Sequence, residues 1–194
     1  MSDRFVTLLR HGEVAGGPRF RGPGDDPLTT RGRAQLDDFF ARFGGWDRLI
    51  ASPSRRCREP ASALAAQMGI GLTIDPDLAE RGFGEWNGRA AAEIPAPDLA
   101  RFYRDPSAFT PAGAEPLDVF ARRVRRSWSA RVAAESRNAL LLTHGGVIRL
   151  IIAEVLHLPM ASLGLIEVPY ACATRIRVPA APGRPSLICH GSLD

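Results

Sequence analysis

The chain has 194 residues, 45% of them apolar and 24% charged, which is ordinary globular composition and long enough to bury a sizeable core in one domain. Its formal charge is +4, but all 25 basic residues are arginine; with alanine, glycine and proline also abundant, that excess reads as a GC-rich coding bias and is poor evidence for a nucleic-acid partner. Cys57, Cys172 and Cys189 are odd in number and far apart, which fits free thiols in a reducing compartment, and no apolar run suits a signal-peptide core or a bilayer span, so a cytoplasmic protein without membrane attachment is expected.

Phe5 to Leu9 reads as a short buried strand that runs into Arg10-His11-Gly12-Glu13. A loop rich in glycine and proline follows to Leu28, as suits a backbone wrapped around a ligand. Thr29 or Thr30 caps a helix whose Leu36, Phe39, Phe40 and Phe43 recur at helical spacing until Gly44-Gly45 ends it. Asp47 to Ser52 reads as a strand, Pro53 starts a helix reaching Met68, and Gly71 to Ile74 reads as another strand. Asp75 to Pro116 is irregular, with helical pieces at Ala90 to Ile94 and Asp98 to Tyr103, and is expected to be an insertion at about 75–116 over the sheet's carboxyl edge. A long helix from Leu117 to Glu135 leads into a second His-Gly strand, Leu140-Leu141-Leu142-Thr143-His144-Gly145-Gly146, and then a helix apolar enough to lie buried against the sheet. Short strands at Leu165 to Val168, Thr174 to Val178 and Ser186 to Cys189 complete the chain. The alternation predicts a three-layer α/β/α sandwich with a mainly parallel central sheet, in a single domain spanning 1–194.

Two of the four histidines thus stand at the ends of apolar strands, each followed by glycine. In open α/β sheets ligands bind outside the carboxyl ends of the strands, so both imidazoles are candidates for one pocket, and the glycine after each, Gly12 and Gly145, is a candidate for close approach of a ligand. Arg10 beside His11 places a fixed cation near an imidazole and disfavours its protonation, which suits a neutral nucleophile. Arginine's planar fork matches a phosphate or carboxylate, and Arg55, Arg56 and Arg58 follow another strand end. Phosphoryl transfer also needs a proton for the leaving oxygen; Glu80 and Glu85 are both candidates on the irregular segment.

Four motifs occur in order: Leu9-Arg10-His11-Gly12-Glu13, Ser52-Pro53-Ser54-Arg55-Arg56-Cys57, Leu78-Ala79-Glu80-Arg81-Gly82-Phe83-Gly84-Glu85-Trp86-Asn87-Gly88 and Thr143-His144-Gly145-Gly146-Val147-Ile148-Arg149. With Asp26-Pro27-Leu28-Thr29, Gly32 and Gly113-Ala114-Glu115, they make nearly the whole chain resemble the histidine phosphatase superfamily, which includes the phosphoglycerate mutases. The resemblance implies a phosphoglycerate mutase-like fold and a nucleophile at His11 that forms a phosphohistidine. It implies that Arg10, Arg56 and His144 hold the phosphoryl oxygens and that Glu80 is the acid and base. No metal or other cofactor is required by that scheme. The family often carries leucine where this chain has Ser54 and threonine where it has Pro60, which leaves Arg55 and Arg58 as alternatives to Arg56 for the clamp. Gly82 replaces a larger residue and is expected to widen the leaving-group side. Arg101 to Pro106, Ala108 to Pro111, Glu115-Pro116 and Arg56-Cys57 look most like the α-ribazole phosphatases of cobalamin nucleotide-loop assembly. The compact chain suggests hydrolysis of a small phosphomonoester, with a broad or sugar-phosphate phosphatase and a non-catalytic phosphate-binding module as the competing readings.

Arg21 and Gly22, in the loop after the nucleophile, are candidates to reach the substrate phosphate. Arg122, Arg123, Arg125 and Arg126 interleave with Val119, Phe120, Val124 and Trp128, as on an amphipathic helix with a solvated side. His157 and His190 have no partnered motif and read as surface or helix-end residues. Both a monomer and a homodimer are compatible with the sequence.

Overall fold

Val6-Thr7-Leu8-Leu9 lacks polar alternation, the mark of a strand covered on both faces. In the computed structural model, which describes residues 3–134, 136–180 and 182–191, this run is β1 (Arg4–Arg10), deep inside a six-stranded sheet. The remaining elements are α1 (Thr30–Arg42), β2 (Arg48–Ala51), α2 (Arg55–Met68), β3 (Leu72–Ile74), α3 (Ala96–Arg104), α4 (Leu117–Ala133), β4 (Asn138–Thr143), α5 (Gly145–Leu156), β5 (Ala173–Val178) and β6 (Ser186–Gly191). The sheet order is β3-β2-β4-β1-β5-β6. The first four strands are parallel; β5 and β6 are antiparallel to their neighbours.

The period of two along the strands divides the core into two layers. Val6, Leu8, Ile50 and Leu141 face a cluster with Phe120 and Val124 of α4 and Ile148, Ile151 and Ile152 of α5. Leu9, Leu49, Leu140 and Leu142 face the other way, onto Leu36 and Phe39 of α1 and Ala61 and Leu64 of α2. Each fully buried leucine or isoleucine here contributes roughly 1.5 to 3 kcal/mol of transfer free energy. The result is the three-layer, mainly parallel sandwich expected from the alternation.

Local signals explain most element ends. Thr29 caps α1, its Oγ1 accepting from Gly32 N at 2.9 Å. Gly69, at φ 65, ends α2 in the left-handed conformation. His157 ends α5 in the same way at φ 53, a helix-end position as expected.

Three boundaries differ from expectation. Pro53 precedes α2, which starts at Arg55 and instead contains Pro60, so that its second turn lacks one backbone donor. Leu165 to Val168 is not a strand: a 3-10 turn occupies Met160–Leu165, and the carbonyls of Ile166 and Val168 accept from Arg149 and Arg10 rather than from a neighbouring strand. α4 stops at Ala133, and Glu135, expected at its end, lies outside the described residues.

The segment between β3 and α4 is irregular, with 3-10 turns at Pro76–Leu78, Gly84–Trp86 and Ala91–Glu93 before α3. Its aromatic residues form a cluster with Phe20 of the first loop: Phe20 lies 5.2 Å from both Phe83 and Trp86 and 5.7 Å from Phe102, centroid to centroid. No helix among the described residues is long and apolar enough to cross a membrane.

Candidate active site

β1 and β4 are parallel neighbours with Arg10 opposite Thr143, so the next residue on each strand is a histidine. His11 N donates to Thr143 O at 3.0 Å, and the rings of His11 and His144 stand edge to face with centroids 5.2 Å apart. The chain leaves β1, builds β2 and β3 outward, then returns to insert β4 between β2 and β1, which makes this strand pair a topological switch point. A cleft of about 340 Å³ opens there.

His11 is buried, and its Nδ1 lies 2.8 Å from Gly12 O. A carbonyl only accepts, so Nδ1 carries the proton and Nε2 keeps its lone pair. Burial, then the cations of Arg56, Arg10 and Arg21, hold the ring well below the usual imidazole range. His11 is therefore a neutral imidazole with its free nitrogen available as a nucleophile. Gly12 serves a different purpose from ligand access: a Cβ there would run into Gly32 O, so its absence lets α1 pack against the backbone at His11 and Gly12.

His144 is held from two sides. Arg56 Nη2 donates to its Nδ1 at 3.2 Å, which leaves Nε2–H to donate to Ser52 Oγ at 2.7 Å. Its pKa too is driven well down, by burial first and then by Arg56, His11 and Arg10. Cys57 lies 3.8 Å from His144 Nε2, and burial pushes its thiol up to about 12, so it is an inert core thiol behind the ring.

Of the three arginines that open α2, Arg55 and Arg58 are exposed, and Arg55 pairs with Glu59 at 2.7 Å. Arg56 is 1% exposed and lines the cleft, bonded to Gly24 O at 2.6 Å and Gly22 O at 2.9 Å. Arg10 lines it as well, lying over the Tyr170 ring at 4.3 Å and donating to Val168 O. Burial lowers the Arg10 pKa, with Tyr170 and Glu80 opposing, yet it stays a cation at neutral pH. Among the described residues no carboxylate lies within ion-pair distance of Arg10, Arg56 or Arg149, and Arg10 Nε and Arg56 Nε are buried donors without a partner. Buried cations without counter-charge cost about several kcal/mol each even after the surroundings relax, and an anionic ligand offsets that cost.

Glu80 and Glu85 separate clearly. Glu80 lines the cleft, its carboxylate accepting from Gly146 N of α5 at 3.1 Å and Arg81 N at 3.0 Å; Glu85 is exposed and outside the cleft wall. Gly145 and Arg21 also line the cleft. Arg21 is engaged by its own loop, donating to Gly17 O at 2.7 Å and to Ala15 O. Gly22 is not in the wall and acts through Arg56, to which its carbonyl is bonded.

Sequence reasoning overlooked four contributors. Arg149 and Tyr170 line the cleft, Ser52 orients His144, and Tyr103, 58% exposed, stands at the cleft with Phe20, Phe83 and Phe102. Arg149 had a usable signal, since it lies four residues after Gly145 on α5 and so shares its face. Among the described residues no group of three histidine, cysteine or acidic side chains is placed to hold a metal ion.

The family model described as the histidine phosphatase superfamily (branch 1) matches residues 6–188. A bifunctional protein of Mycobacterium tuberculosis is 30% identical over 191 residues, covering 89% of this chain and 52% of that protein, so the chain spans about half the length of this relative. The adenosylcobalamin/alpha-ribazole phosphatase of Salmonella typhimurium is 32% identical over 183 residues, 89% of this chain and 90% of that protein. The solved structure of mycobacterial glucosyl-3-phosphoglycerate phosphatase is similar with a TM-score of 0.83 at 25% identity, covering 98% of this chain and 100% of that one.

Proposed function

Because this chain belongs to the histidine phosphatase superfamily, we propose that it is a phosphomonoesterase that works through a phosphohistidine, without a metal. The observation that carries the reading is the meeting of a neutral His11, its Nε2 free, with guanidinium groups that have no acidic partner. His11 Nε2 attacks phosphorus, the bond to the substrate's alkoxy oxygen breaks, and Glu80 in its acid form gives that oxygen its proton. Water then attacks the phosphohistidine, Glu80 takes the water proton, and the P–N bond breaks to release phosphate. Arg10 and Arg56 hold the phosphoryl oxygens, where charge spreads during transfer; one such donor is worth roughly 3 to 4 kcal/mol of barrier. His144 joins them once a phosphoryl dianion lies between it and Arg56: the negative charge favours the imidazolium, and Nδ1 then donates to oxygen while Nε2 stays on Ser52.

The substrate we propose is α-ribazole 5′-phosphate, as in cobalamin nucleotide-loop assembly. Supporting it, Phe20, Phe83, Phe102 and Tyr103 line the cleft, and among the described residues no asparagine, glutamine, aspartate, serine or threonine does. Aromatic faces suit a leaving group that carries a planar heteroaromatic base better than one built of sugar hydroxyls alone, which needs more paired donors and acceptors. A second reading, a sugar-phosphate phosphatase, draws on Arg19 and Arg149 in the same wall, cations that fit a leaving group bearing its own carboxylate, as glucosyl-3-phosphoglycerate does.

Phosphate release from α-ribazole 5′-phosphate, glucosyl-3-phosphoglycerate, other sugar phosphates and an aryl phosphate, all with EDTA present, separates these readings. Preference for α-ribazole 5′-phosphate supports the first substrate and preference for the carboxylated sugar supports the second. Loss of all turnover on adding EDTA to folded protein overturns the metal-free mechanism. Phosphate binding without turnover of any substrate makes the chain a binding module.

A further inference from the structure

α4 carries four arginines in five positions, and three of them behave as surface cations. Arg122 pairs with Asp118 at 2.6 Å, Arg125 with Glu154 at 2.8 Å and Arg126 with Asp77 at 2.6 Å, all four to five parts in ten exposed or more on the arginine side. Arg123 is different: its side chain is 16% exposed and its guanidinium lies over the Phe120 ring at 4.7 Å. Both its terminal nitrogens reach one stretch of chain. Nη1 donates to Asp77 O at 2.8 Å and Ala79 O at 2.6 Å, and Nη2 donates to Glu80 O at 3.1 Å. Nε and Nη2 also grip Glu115 Oε1 and Oε2, both at 2.8 Å. The one carbonyl skipped in this stretch, Leu78 O, accepts from Thr143 Oγ1 at 2.9 Å.

Glu80 therefore sits at the end of a segment with no ladder of its own, each of whose last four carbonyls is bonded to a side chain from α4 or β4. Glu115 extends the grip beyond Glu80, its Oε2 accepting from Gly82 N at 3.4 Å and its carbonyl from Arg81 Nε at 2.9 Å. We propose that Arg123, clamped by Glu115, is a positioning residue for the acid/base Glu80, fixing its backbone so that its carboxylate meets α5 and the leaving oxygen. This rests on the phosphohistidine reading of the same site. A planar fork that serves five acceptors at once cannot be replaced by the single point charge of lysine.

The test uses leaving-group dependence. A p-nitrophenolate leaves without a proton, whereas an alkoxide needs the acid, so misplacing Glu80 slows phosphorylation by an alkyl phosphate and spares phosphorylation by p-nitrophenyl phosphate. Single-turnover rates are measured with p-nitrophenyl phosphate and 2-phenylethyl phosphate for wild type, Arg123→Lys, Glu115→Gln, Glu80→Gln and the double variant Arg123→Lys with Glu80→Gln, with thermal melting to confirm folding. For Arg123→Lys we expect a fall of about tenfold or more with the alkyl ester and less than about threefold in p-nitrophenolate release. The substitution should add little in the Glu80→Gln background. Glu115→Gln, which keeps the side-chain shape, should show the same selective loss, more weakly, and serves where Arg123→Lys does not fold.

Equal losses on both esters, or full additivity with Glu80→Gln, overturn the positioning role and leave Arg123 as a structural residue. Turnover that survives His11→Ala overturns the phosphohistidine reading instead, so the two failures are distinguishable.

Discussion

His11 and His144 are held by the sheet, whereas Glu80, which lines the same cleft, is held by side chains. The two histidines stand one residue beyond a parallel ladder whose register also brings Ser52 N to Leu142 O at 3.0 Å. A ladder of this kind has many cooperating bonds, and removing one side chain leaves the strand ends where they were. The stretch from Asp77 to Glu80 instead depends on Arg123 and Thr143, and its carboxylate on the N-terminus of α5. The histidine half of this site is therefore expected to withstand distant change, while the Glu80 half is expected to respond to residues that do not line the cleft.

The largest expected effect lies on the sheet side. His11→Ala should cost on the order of 10⁴-fold or more in turnover, because no neighbouring side chain replaces the nucleophile. Circular dichroism and melting should stay close to wild type, since the ladder is intact; a collapse of the fold would break the contrast.

Gly146→Ala sharpens the comparison from the other side. A Cβ at Gly146 would run into Glu80 Oε1, with Glu80 Cδ at 3.2 Å and Phe120 Cζ at 3.3 Å. Alanine is the better helix former by about 1 kcal/mol, so α5 itself should not suffer. The expectation is a loss of about 10²-fold in kcat for alkyl esters, from a misplacement of about 1 Å, with a small change in melting temperature. Unchanged kcat would show that Glu80 does not act from the position seen here.

The smallest effect is on stability against pH. Both buried rings are held below their unfolded value of about 6.5, so between that value and the depressed folded ones the unfolded chain binds more protons. The contribution of these two rings should be level above about pH 6.5 and fall below it, by at most about 1.4 kcal/mol per pH unit for each histidine. Urea unfolding at several pH values should show a shallower slope for His11→Asn; an identical slope would mean that His11 is not a buried neutral ring.

The same division decided what could be read from sequence. Leu8-Leu9 and Leu140-Leu141-Leu142 announce strands buried on both faces, and a strand end is where such a sheet binds ligands, so His11, His144 and Arg10 were legible. Arg56 was legible only as one of three, because its burial depends on how α2 meets the loop carbonyls of Gly22 and Gly24. Arg123 was hidden in a run that reads as the solvated side of an amphipathic helix, and Tyr170 in the segment after Pro169, which carries no motif. Leu165 to Val168 misled because its apolar, partly β-branched residues suit a strand, while its carbonyls were needed by Arg10 and Arg149.

The account stands or falls on the phosphoryl group resting on one ring nitrogen. Wild-type protein and His11→Ala should be quenched in base after brief exposure to radiolabelled phosphomonoester, then digested and mapped. The account predicts an acid-labile, base-stable label on His11 of the wild-type protein and none on His11→Ala. Label on another residue, or rapid turnover with no labelled intermediate and undiminished activity in His11→Ala, would contradict it.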